Sequence, residues 1–145
     1  MAYTTPTNIS LSFPTNADLS NNQFFFVVLD QAGAVGPCDA THKPLGVLTN
    51  VPSSGALGQY AATVDLVGVT RIAVKGVYAA GTILCPGVDG TNVGVGMSGA
   101  DASVVGGPSF NYARAMTLEA STKTYDIVSA LLLGPQAGID SSSVA

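Results

Sequence analysis

The chain has 145 residues, which suits one compact domain with enough interior to bury a core without staples. Apolar residues make up 47% of it but charged residues only 10%, against about 25% in an ordinary soluble domain, and the net charge is −4. That balance argues against direct nucleic-acid binding and against charge-held membrane adhesion, because no basic stripe exists to neutralise phosphates.

The apolar runs at residues 24–29 and 130–133 fall far short of the ~20 residues that span a bilayer. So few charges leave a largely neutral surface, which is easily desolvated against another protein and points to assembly.

In chain order, residues 1–23 read as an extended N-terminal arm rich in Thr, Asn, Ser and Pro. Met1-Ala2-Tyr3-Thr4-Thr5 has neither a charged lead nor an apolar block, so no secretory leader is expected. Within the arm Ile9, Leu11 and Phe13 alternate with Ser10 and Ser12, the period of a short strand, and Pro14 ends that strand or keeps it at an edge. The arm fits either a reaching segment or an ordinary first strand on its own sheet.

Residues 24–29 (FFFVVL) are continuous, aromatic and β-branched, which predicts a strand buried on both faces. Residues 34–38 read as a brief return strand and residues 46–51 as the next. Residues 64–75 follow. Val64, Leu66, Ile72 and Val74 share one parity and Asp65, Arg71 and Lys75 the other, so this stretch predicts a dry face and a wet face. Val67 and Val69 break the parity around Gly68, which predicts a bulge there or cover on both faces.

Tyr78-Ala79-Ala80-Gly81-Thr82 turns the chain and Ile83-Leu84 begins another strand. Residues 86–91 (PGVDGT) read as a turn, with Asp89-Gly90 suited to positive φ, and residues 92–97 read as a short edge strand. Residues 98–109 read as a Gly- and Ser-rich loop. Residues 113–120 (ARAMTLEA) fit a strand or two helical turns, the strand being preferred. Residues 125–133 form the last strand, and residues 136–145 a loose polar tail. Short strands separated by Gly/Pro turns predict an all-β fold, a small β-sandwich or β-barrel-like domain over residues 24–135.

Chemistry is suggested at three places, each with a plainer reading. Gly94-Val95-Gly96-Met97-Ser98-Gly99 matches G-x-G-x-x-G, but no βαβ framework surrounds it, so it reads as a Gly-rich loop rather than a dinucleotide site. His42 is the sole histidine and has Asp39 near it in sequence. No nucleophile elbow accompanies them, so a loop histidine is the better reading. Cys38 and Cys85 lack metal-ligand spacing and are expected as reduced, mostly buried thiols. Accordingly no catalytic residue, no metal site and no cofactor is expected, although a ligand-binding or enzymatic barrel using His42, Asp39 and the glycine run is the contrasting alternative.

The order of pieces resembles the capsid cement, or head decoration, proteins of tailed bacteriophages. The resemblance is carried by Phe25-Phe26-Val27-Val28-Leu29-Asp30-Gln31-Ala32-Gly33, Leu45-Gly46-Val47-Leu48-Thr49-Asn50, residues 69–76, the Ala79-Ala80-Gly81-Thr82 corner, residues 113–120 and residues 127–133. It covers residues 24–135 or so. The resemblance implies a non-enzymatic β domain on the surface of an icosahedral virion, made in the host bacterial cytoplasm. It would bridge subunits of the major capsid protein, often as a homo-trimer, and has no catalytic residues to carry over.

The expected interface comprises Ile9, Leu11 and Phe13 of the arm, the parity-breaking Val67 and Val69, and the small-residue corner Ala79, Ala80 and Gly81. The rival structural role is a tail or fibre β module, or a bacterial surface domain.

Overall fold

The structure, a computed structural model, describes residues 8–52, 61–102 and 112–134. Among these residues the chain is all-β, with ten strands and one helical turn. The strands are β1 (Ile9–Pro14), β2 (Phe26–Leu29), β3 (Val35–Pro37), β4 (Gly46–Leu48), β5 (Ala61–Val67), β6 (Val69–Val74), β7 (Ile83–Asp89), β8 (Asn92–Ser98), β9 (Ala115–Thr117) and β10 (Asp126–Leu132). The helix α1 (Gly99–Ala102) follows β8. Both expected architectures are drawn upon: an open five-stranded sheet ordered β1-β5-β4-β2-β3, and a closed barrel ordered β10-β6-β8-β7-β9.

Phe26 and Val27 account for the joint between them. Successive side chains of a strand point to opposite faces. Phe26 enters a core with Ile72, Val74, Leu84, Val128 and Ala130 of the barrel, while Val27 enters a second core with Leu19, Val35, Leu48 and Val64. β2 is therefore dry on both sides where it begins, which gives the apolar run its physical reason, but the run is not buried throughout as expected, since Leu29 at its end is 43% exposed. The strand begins at Phe26 rather than residue 24: Phe24 has φ 67° and turns the chain, and Phe25 joins a third core with Cys85, Val95 and Met97.

The stretch 64–75, expected as one bulged strand, is two strands in different sheets. Gly68, at φ 108°, is the corner that carries the chain from β5 into β6. Asn8 clasps this corner: its Nδ2 donates to the Val69 carbonyl (2.6 Å) and its Oδ1 accepts the Val69 N–H (3.1 Å). A Cβ at Gly68 would meet the Asn8 amide oxygen, so the position needs glycine both for its φ and for space.

The described part of the expected arm is an edge strand of the chain's own sheet. β1 runs antiparallel to β5, Leu11 opposite Val64 and Phe13 opposite Ala62. Leu19 is fully buried, so the core boundary lies well before residue 24. The same docking buries Asp65, expected on a wet face but only 8% exposed, beneath Ser10, whose hydroxyl donates to its carboxylate.

β8, expected at an edge, is interior to the barrel. It pairs antiparallel with β7 and in parallel with β6 at Val74 and Gly96. Residues 115–117 are a strand, as preferred. The expected loop at 98–109 opens instead with β8's last residue and α1; residues 103–109 and the expected tail, 136–145, lie outside the described residues.

Candidate interaction surface

Outward positions of four barrel strands line up into one apolar row. Ile83 of β7 sits opposite Met116 of β9, Met116 opposite Leu131 of β10, and Leu131 opposite Val69 of β6. Ile83 and Leu131 are 42% and 36% exposed, and Met116 and Val69 half-buried. Leu118, exposed, lies two residues beyond Met116; Ile127 is exposed too but is set apart from the row by the Ser129–Arg71 pair.

No charge interrupts the row. Arg71 lies two residues along β6, and Glu119 accepts the Ser129 N–H (2.8 Å) beside it. An apolar centre with a polar rim is the general anatomy of protein-contact patches.

The residues expected at an interface are distributed over several places. Val69 belongs to this row. The exposed corner Ala79-Ala80-Gly81 borders it, because the Gly81 N–H donates to the Thr117 carbonyl (2.7 Å) and the Thr117 hydroxyl to the Ala79 carbonyl (3.0 Å). Ile9 and Val67 sit opposite each other, both exposed, at the β1–β5 end of the open sheet. Leu11 is exposed on the same strand, and Phe13 packs half-buried against the second core. The sequence reading missed Ile83, Met116 and Leu131. Apolar residues stand at both parities beside each of them (Leu84, Ala115, Leu132), so neither their outward face nor which strands lie side by side was readable.

The residues of the suggested chemistry lie in three separate places. His42 Nδ1 contacts Asp39 Oδ1 at 2.6 Å on the surface, and Thr41 bonds the same oxygen through its N–H and hydroxyl at 2.9 and 2.7 Å. Burial works against the Asp39 charge, but these bonds from His42 and Thr41 outweigh it and hold the carboxyl below its ordinary range. The set spans four consecutive residues and describes a self-bonded turn.

Other aspartates do likewise. Asp30 accepts N–H bonds from Ala32 and Ala34, Asp18 from Ser20, and Asp126 from Thr122. Gly94 and Gly96 lie within β8, where a Cβ would collide with the Phe26 carbonyl and crowd Ile72. Cys38 and Cys85 are free thiols in different cores, Cys38 raised chiefly by burial and Cys85 pushed up to about 11 by burial.

Among the described residues no three His, Cys, Asp or Glu side chains group as metal ligands, and no helix is long and apolar enough to cross a membrane.

The class defined by this architecture is thus an all-β protein combining an open sheet and a small closed barrel. Compared with protein-family models, curated proteins and solved structures, the chain has no significant match.

Proposed function

We propose that the chain is a structural, non-enzymatic virion protein. It decorates and stabilises an icosahedral tailed-phage capsid by bridging subunits of the major capsid protein, with homo-trimers as the docked form. The observation that supports this reading is the uncharged row Ile83–Met116–Leu131–Val69, rimmed rather than crossed by charge. The sequence resemblance to capsid cement proteins supplies the kind of partner.

Burial of neutral side chains needs no paired charge to offset desolvation. Repetition over a symmetric shell turns modest single contacts into high occupancy.

Cosedimentation of the purified protein with phage heads stripped of decoration protein, and in parallel with isolated tails, tests this. Binding to heads is expected, with Leu131→Asp weakening it by about 30-fold or more if the row is a hot spot. Preference for tails would favour a tail or fibre module, and undiminished head binding by the variant would remove the row from the account.

A further inference from the structure

Arg114 enters the fold just before β9 and is only 4% exposed. Its guanidinium gathers three chain segments. One terminal nitrogen donates to the Leu45 carbonyl (3.0 Å) and the Leu66 carbonyl (2.6 Å), and the other donates to the Leu133 carbonyl. A guanidinium carries five N–H groups. The Nε–H is buried without a partner, and among the described residues no carboxylate bonds the group. Among the described residues a buried cation is thus met by carbonyl dipoles alone, although buried charges are ordinarily paired. Burial lowers its pKa.

Leu45 and Leu66, whose carbonyls hold the guanidinium, also wall a cavity of about 380 Å³ that Arg114 itself lines. Leu29, Pro44 and Val67 continue the wall, and Lys43 completes it. Among the described residues no acidic and no aromatic side chain lines the space. Two of the chain's five cationic side chains therefore meet at one otherwise aliphatic cavity, in a protein whose net charge is −4. The volume falls in the range of small-ligand pockets.

We propose that this cavity binds an aliphatic carboxylate as a small molecule. Its single negative charge lies at the Arg114 and Lys43 end and its hydrocarbon chain against Leu29, Leu66 and Val67. A singly charged head on an apolar chain matches one buried and one exposed cation on aliphatic walls. Phosphate would have to surrender more hydration than such walls return, and an aromatic acid would find no ring to stack on. The site is separate from the barrel's apolar row and does not depend on the assembly reading.

The test is a chemical-shift titration of the full chain with octanoate, octanol and inorganic phosphate as probes. Saturable octanoate binding is expected, with shifts at Leu29, Leu66 and Arg114. Octanol should bind about tenfold more weakly or worse for lack of a charge-assisted bond, and phosphate should leave those signals in place. Lys43→Gln, at an exposed position, should weaken octanoate about threefold or more, and Val67→Glu should abolish binding while leaving the remaining spectrum unchanged. Octanol binding as tightly as octanoate, phosphate competing equally, or no shifts at the cavity would each overturn the proposal.

Discussion

Phe26 and Leu131 are both large apolar residues on strands, and they do opposite work. Phe26 is fully buried where the open sheet meets the barrel. Phe26→Ala should cost about 3–5 kcal/mol in urea unfolding, a large part of the ~5–15 kcal/mol that holds a domain of this kind. Leu131→Ala, at an exposed position, should stay within about 0.5 kcal/mol. If the two substitutions cost the same, the joint described here is wrong.

Single residues were also where the sequence misled. Nothing in ARAMTLEA marks Arg114 as buried, and Asp65 alternates like a wet-face residue in the central stretch. Each is buried by groups far away in the chain: the carbonyls of Leu45, Leu66 and Leu133 for the first, the hydroxyl of Ser10 for the second. Periodicity reports which side of its own strand a residue occupies. It carries no information about what another segment lays over that side.

At the scale of elements, strand existence was readable and strand company was not. The strands at 26–29, 35–37 and 126–132 follow from apolar, β-branched runs closed by Gly or Pro, but β7 runs on through Pro86 and Gly87 to Asp89, where the sequence predicts a turn over residues 86–91; the pairing of Pro86 with Gly96 and of Gly87 with Val95 on β8 carries the strand past them. β8 was mistaken for an edge because its parallel partner β6 lies two strands back, a non-local pairing that no local pattern encodes. Its glycines were the available signal, since Gly96 permits close approach to Ile72 and Ala73.

β1 carries the clearest test at this scale. Deleting residues 1–14 removes the Phe13 contact and uncovers the outer edge of β5. It should leave a cooperative fold weakened by roughly 2 kcal/mol. Deletion through residue 23 also removes Leu19 from its core and should abolish cooperative unfolding. Circular dichroism of both truncations against urea checks this. An equally stable longer truncation would mean that residues 9–23 are an appendage after all.

For the whole molecule, the all-β class was legible from turn spacing and from the lack of a helical period. The coexistence of an open sheet and a closed barrel was not, because a strand's sequence does not say whether its sheet closes. Composition is the global signal that bears on the surface. Only 10% charge leaves room for an uninterrupted apolar row across four strands, with Arg71 and Glu119 kept to its flanks.

The central claim is that this row is where the molecule meets other proteins. An electron-microscopy map of the decorated head, at a resolution that orients the barrel, tests it most directly. The expected map places Ile83, Met116 and Leu131 against the major capsid protein or a sibling copy. A map in which these three side chains face open solvent, with the contacts made from another side of the protein, would contradict it.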